Sequence, residues 1–296
     1  MLFFKIFTIL FPIFAIVTVG YLYAYFRSVD MRTANQFNIE IFTPALIFSA
    51  LSGKNIDITD YYHLIIGSVV IILGSGIILL PLVHWLRYQP RTFIPPMMFL
   101  NTANMGIPLT IFSFGEKALP IAIILLIVGT LFQFTLGMYL IGRQTSGWSL
   151  LRSPIMLATL VGLVVSLTAL KLPPFLLKPI DMLGQIAIPL MLLSLGARLS
   201  DVDLAYWRIG LLGAILRPLS GISIFLLIYP WLTLTPLQTG VLLTFSALPP
   251  AVVNYVIAEN FQQEPHKVAA IVMLGNTMSF ISLPIVLAFA LPLANV

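Results

Sequence analysis

The sequence contains no cysteine. That excludes disulfide frameworks, thiolate nucleophiles, cysteine-ligated zinc and iron–sulfur clusters. Charge is nearly as scarce: 8% of the 296 residues are charged, 15 Lys+Arg against 10 Asp+Glu. Soluble domains carry about 25% charged residues, so this supply cannot cover a water-exposed surface of such a chain. There is no Gly-x-x-x-x-Gly-Lys loop, and ATP drive from this chain is not supported. His63, His84 and His266 fall at the edges of apolar runs without metal-ligand spacing, so no metal site is expected. No basic cluster suits nucleic acid. What is abundant is apolar, with 59% hydrophobic residues and a mean hydropathy of +1.05. The solvent of this chain is lipid.

A bilayer core is crossed by about 20 apolar residues as helix. Apolar runs lie near 3–26, 36–52, 61–86, 93–115 and 118–142, then near 153–170, 175–199, 204–229, 236–258 and 266–291. The expected fold is an all-α integral membrane protein of ten transmembrane helices with short joints. The first run follows Lys5 but reaches Phe26 without a small-x-small cleavage site, so it is read as a mature helix. Alternate joints hold Arg27, Arg32, Arg87, Arg91, Arg143, Arg152, Arg198, Arg208 and Lys267, and the opposite side holds Lys5, Lys54, Lys117, Lys171 and Lys178. The positive-inside rule puts the richer side in the cytoplasm and both termini outside a plasma or inner membrane. Trp85, Trp148, Trp207 and Trp231 fall at span ends, as interfacial belts do.

The chain also resembles itself. Thr43-Pro44-Ala45-Leu46 through Leu51 in span 2 is similar to Ile188-Pro189-Leu190-Met191 through Gly196 in span 7, with the prolines 145 residues apart. Pro108 before Phe114-Gly115-Glu116 matches Pro249-Pro250 before Ala258-Glu259-Asn260, and Gly129-Thr130 returns loosely as Gly275-Asn276-Thr277. The repeats are expected at 1–148 and 149–296. A five-span unit is odd, so its second copy enters from the opposite face, as in the inverted repeats of secondary transporters.

Span 4 carries Asn101-Thr102-Ala103-Asn104-Met105-Gly106-Ile107-Pro108, roughly 12–22 Å deep at 1.5 Å per residue. Pro108 cannot donate to the carbonyl of Asn104, and its ring clashes there. Gly106 permits angles a side chain forbids. A break is expected here, with Pro108 opening a new half-helix. Span 9 has Pro249-Pro250 at comparable depth, followed by Asn254. Irregular backbone survives in lipid only against protein or a wet cavity. Two half-helices entering from opposite leaflets then aim two N-termini, each worth roughly half a positive charge, at one point. That is an anion site. The expected binding set is Asn101, Thr102, Asn104, Gly106, Pro108, Pro249, Pro250, Asn254, Gln133 and Asn276. Gln133 and Asn276 either line the cavity or make interhelical hydrogen bonds. Arg217, mid-way along span 8, either counters a substrate carboxylate or pairs with carbonyls freed by Pro218. Glu40 and Asp181, near the starts of spans 2 and 7, are candidates for a coupling role.

The stretch 101–108 resembles the fourth-helix signature of the auxin efflux carrier family, whose superfamily also embraces bile acid carriers. Gly20-Tyr21, Asn38, Phe42-Thr43-Pro44-Ala45-Leu46, Ser194-Leu195-Gly196 and Ala247-Leu248-Pro249-Pro250 through Ala258-Glu259 to Pro265 are similar to it as well, and Arg217 with Pro218 resembles a basic position of its eighth helix. The likeness runs nearly end to end. It implies crossed broken helices 4 and 9, a scaffold of helices 1, 2, 6 and 7, and an elevator-like transport domain of helices 3–5 and 8–10. The joint from Arg143 to Arg152 is short, unlike the long loop of plant auxin exporters, which favours a small bacterial-type carrier.

The leading expectation is therefore a secondary transporter of small organic anions, carboxylates such as malate, malonate or auxin-like acids. Its alternatives are an ion channel and, further back, a membrane-embedded enzyme, for which the sequence offers no nucleophile–base pair or metal set at depth. No cofactor is expected beyond a coupling ion, Na+ or H+, and a homodimer is a candidate assembly.

Overall fold

The computed structural model describes residues 2–27, 29–52, 58–141, 152–168, 170, 172–199 and 204–295. Arg143, Lys54, Lys171, Trp148 and the expected repeat boundary lie outside them. Among the described residues the chain is helical, with one isolated antiparallel bridge. Six helical stretches are long and apolar enough to cross a membrane: Phe4–Phe26, Tyr62–Trp85, Glu116–Leu140, Pro174–Leu199, Trp207–Trp231 and Pro265–Leu293. The other expected spans differ for physical reasons. Span 2 is α2 (Arg32–Phe37) and α3 (Thr43–Ser52), joined by a π turn at Asn38–Phe42 and diluted by polar residues. Span 6 is a helix of 14 residues, Pro154–Leu167. Spans 4 and 9 are interrupted.

The long helices of spans 1 and 3 are α1 (Leu2–Phe26) and α4 (Tyr62–Trp85). Span 4 comprises α5 (Pro90–Met98), a π turn at Thr102–Gly106, and α6 (Ile107–Phe114). Span 5 is α7 (Leu119–Phe132), a π turn at Gln133–Gly137, and a short α8 (Met138–Leu140). The Pro154–Leu167 helix is α9, and α10 (Pro174–Leu199) and α11 (Trp207–Ile228) follow. Span 9 is α12 (Pro236–Ser246) and α13 (Val253–Asn260), and span 10 is α14 (Pro265–Leu293). Two of the π turns share a cause. Pro44 and Pro108 lack an N–H and press on the carbonyls of Glu40 and Asn104, and a wider turn moves those carbonyls aside.

The residues group into two compact units. One comprises Met1–Phe14, His63–Thr145 and Asp201–Val296; the other comprises Ala15–Tyr62 and Ser146–Ser200. Each takes chain from both halves of the sequence. Lipid provides little hydrophobic drive between helices, so close backbone contact at small residues holds them. In the smaller unit, α1 and α10 meet at Gly20 and Gly196. A Cβ on Gly20 would lie 2.2 Å from the Leu193 carbonyl oxygen, and one on Gly196 would lie 2.0 Å from that of Val17. The larger unit has a buried core of Ile72, Leu79, Phe93, Met97, Phe99 and Ile271, to which the first half of span 4 contributes Phe93, Met97 and Phe99.

Candidate functional site

The two interruptions meet. Leu100 and Pro250 form the antiparallel bridge, with Asn101 N–H donating to the Pro249 carbonyl at 2.8 Å and Ala251 N–H donating to the Phe99 carbonyl at 2.9 Å. The break in span 9 falls at Pro249-Pro250, as expected. In span 4 it falls earlier than expected. Phe99 is extended (φ −101°, ψ 119°), while Gly106 is ordinary helix (φ −64°, ψ −47°) and Pro108 sits inside the second half-helix. Two corrections follow. Pro108 does not open the half-helix, because the π turn absorbs it. Gly106 serves space, since a Cβ there would lie 2.9 Å from Leu248 Cδ1 and 3.0 Å from Phe245 Cζ.

Side-chain amides hold the crossing. Asn254, buried, donates to the carbonyls of Phe99 (3.1 Å) and Ala251 (3.0 Å) and accepts from Gln133 at 3.3 Å. Asn276, fully buried, donates to the carbonyls of Pro250 (3.1 Å) and Val272 (2.8 Å) and accepts from Asn101 at 2.7 Å. Asn101, Gln133, Asn254 and Asn276 thus come together, mostly in service of the backbone. Gly275 lets α14 approach: its Cβ would lie 2.6 Å from Pro250 Cδ.

The backbone accounting is lopsided. The carbonyls of Phe99, Leu100, Asn101, Pro249, Pro250 and Ala251 all accept hydrogen bonds. The N–H groups of Ala103, Asn104, Val252 and Val253, at the starts of the two half-helices, have no acceptor among the described residues, and no side chain caps either start. Asn104 is half-buried and makes no side-chain hydrogen bond among the described residues. It stands four residues beyond Leu100, as Asn254 stands four beyond Pro250.

Small cavities flank the crossing. One, of about 20 Å³, touches Thr102, Leu100, Gly129, Phe245 and Ser246. The other, also of about 20 Å³, is lined by Arg91, Thr92, Phe99, Gln133 and Asn254 among others. Above the second, Thr92 donates to Glu264 at 2.6 Å, Gln263 donates to Thr92 at 3.1 Å, and Lys267 pairs with Glu264. Burial works against the Glu264 carboxylate, but the hydrogen bonds from Lys267 and Thr92 and the Lys267 charge outweigh it and hold its pKa below the ordinary value.

Arg217 is fully buried and donates to the Ser246 carbonyl at 3.4 Å. Its carbonyl partner is freed by the break in span 9 rather than by Pro218. Glu40 and Asp181 belong to the smaller unit, where Glu40 accepts from Gln36 at 3.1 Å and Asp181 accepts from Ser49 (3.1 Å) and Gln185 (2.9 Å). Sequence reasoning missed Ser246, Phe99, Thr92 and Glu264. The one available signal was Gly221, one turn beyond Arg217, which leaves room for a guanidinium. Among the described residues no group of three potential metal-binding side chains occurs.

Apolar membrane-crossing helices with two crossed interruptions and open N–H groups at the crossing define a multi-pass membrane transporter. The sequence model of the membrane transport protein family matches residues 5–148 and 143–287, and the chain belongs to that family, the auxin efflux carriers. Among its relatives is an uncharacterized transporter of Methanocaldococcus jannaschii, 25% identical over 288 residues that cover 90% of this chain and 92% of that one. The protein is a transporter of a small-molecule substrate in a lipid bilayer, not an enzyme.

Proposed function

We propose that the protein is a secondary transporter of small carboxylates, of the size of malate or malonate, working by elevator-type alternating access across the plasma membrane. The observation that carries this reading is the crossing itself. The carbonyls from Phe99 to Asn101 and from Pro249 to Ala251 accept hydrogen bonds while the N–H groups at the half-helix starts are open, so those starts lack acceptors, and a carboxylate supplies them. Asn104 and Thr102 on one half-helix give the polar contacts, and Asn254 on the other, with Gln133 beside it, keeps the backbone of the site in place. Gly106, Pro108, Pro249 and Pro250 shape the backbone, and Asn101 and Asn276 brace it.

Arg91 lines the cavity on the side that the loop charges assign to the cytoplasm, where it draws anions in. The ten-helix inverted repeat draws support from the two matched stretches, which divide the chain near its middle. The division into scaffold and transport domain draws support from the two compact units, whose segments correspond to helices 1, 2, 6 and 7 and to helices 3–5 and 8–10, except that Met1–Phe14 of helix 1 groups with the second set.

Uptake of radiolabelled mono- and dicarboxylates into proteoliposomes tests the reading, with sodium, proton and voltage gradients imposed one at a time. Saturable uptake of at least one acid, competed by its neighbours in size, is the expected result. Absence of saturable uptake for every acid overturns it, and planar-bilayer currents above carrier turnover point to a channel instead.

A further inference from the structure

The half-helix α12 ends at Ser246, and a helix end leaves carbonyls unpaired with roughly half a negative charge. In transporters with broken helices, such ends and the unwound carbonyls beside them are where monovalent coupling cations are held. Here that place is taken. Arg217 reaches it from α11, with Nη1 at 3.4 Å from the Ser246 carbonyl oxygen. Gly221 opens the path. A Cβ at Gly221 would lie 2.0 Å from that oxygen and 2.6 Å from Arg217 Nη1. The guanidinium is 0% exposed, its Nε and Nη2 lack partners, and it faces no carboxylate among the described residues. A buried guanidinium does not deprotonate, and leaving it unpaired is costly, so a positive charge has been fixed here at the expense of stability.

We propose that Arg217 is a built-in substitute for a coupling cation: its guanidinium occupies the carbonyl end of α12, so the carrier loads its anion without binding sodium. The purpose of the charge rests on the organic-anion reading above; its place in the fold does not. The fixed charge at α12 adds to the open N–H groups and repels any further cation, and removing it frees a carbonyl site that a small cation can fill.

The test uses the full chain in detergent and in liposomes, comparing sodium, lithium and choline chloride at equal ionic strength. Wild type is expected to keep one thermal midpoint and one uptake rate in all three salts. Arg217→Ser is expected to gain a saturable rise in midpoint of about 3–5 °C at sodium or lithium near tenfold its Kd. Arg217→Lys keeps the charge and is expected to respond to neither ion. A saturable sodium effect on wild type overturns the assignment, as does a folded Arg217→Ser indifferent to both ions. If Arg217→Ser does not fold, the wild-type comparison alone decides. A wild type that takes up no acid defeats the carrier reading, whereas normal acid uptake with a cation-indifferent Arg217→Ser defeats only the role given to Arg217.

Discussion

Asn104 and Asn254 occupy matching places on the two half-helices, yet the structure gives them different work, and alanine at each separates binding from stability. Asn254 makes two donated bonds, at 3.1 and 3.0 Å, and accepts one at 3.3 Å. Interhelical hydrogen bonds in membranes average about 0.6 kcal/mol and reach about 1.7. A buried group left without a partner costs about 1–3 kcal/mol. The Phe99 carbonyl keeps its bond from Ala251 N–H, but the Gln133 amide loses its acceptor. Asn254→Ala therefore costs about 2–4 kcal/mol, or a midpoint lower by about 4–10 °C. Asn104→Ala breaks no side-chain hydrogen bond among the described residues and shifts stability by no more than about 0.5 kcal/mol. The charge-assisted contact proposed for it is worth about 1.5–3 kcal/mol, so its loss is expected to weaken acid binding about 10- to 100-fold. Thermal unfolding followed by tryptophan fluorescence and titration with malate, or whichever acid wild type takes up, read the two effects. Equal loss of midpoint in both variants, or wild-type affinity in Asn104→Ala, refutes the division.

Three further outcomes follow from the close contacts and the loop carboxylate. Gly221→Ala and Gly275→Ala place a Cβ at 2.0 Å from Ser246 O and 2.6 Å from Pro250 Cδ, so both lose folded yield on size-exclusion chromatography. Gly129→Ala, whose nearest contact is Thr102 Cγ2 at 3.9 Å, keeps wild-type yield. The Glu264 carboxylate has a folded pKa below its unfolded value near 4.5, so its stabilising effect is present above that value and is lost as pH falls through the folded one. Midpoints of wild type between about pH 3.5 and 7 fall at the acid end, and Glu264→Gln flattens part of that fall.

The interruptions were legible in the sequence because lipid makes them chemically conspicuous. A proline removes a donor, and only a polar, sheltered place tolerates the result. Their register was less legible. Proline is accommodated by a π turn, so the break at Phe99 lies upstream of Pro108, where the other interruption supplies backbone partners. Those partners come from some 150 residues away, and no local pattern announces them. The same applies to Asn276 and Arg217, whose burial mid-helix marked them as important without saying which carbonyl each would meet. Span 2 looked like a plain apolar helix, and its π turn before Pro44 repeats the logic seen at Pro108.

The division of labour at the crossing is itself an argument about charge. In water, an interrupted helix is satisfied by solvent on both sides. In lipid each orphaned group needs a partner from the protein or from cargo. Asparagine at 254 and 276 provides donors for the carbonyls, and Arg217 provides one for Ser246. Among the described residues no acidic side chain is supplied for the N–H groups at 103, 104, 252 and 253. Buried amides and a buried guanidinium thus serve acceptors at the crossing, while these four N–H groups lack an acceptor among the described residues. An anion supplies that acceptor and a cation does not, which supports the proposal of a carboxylate cargo over sodium, potassium or an organic amine.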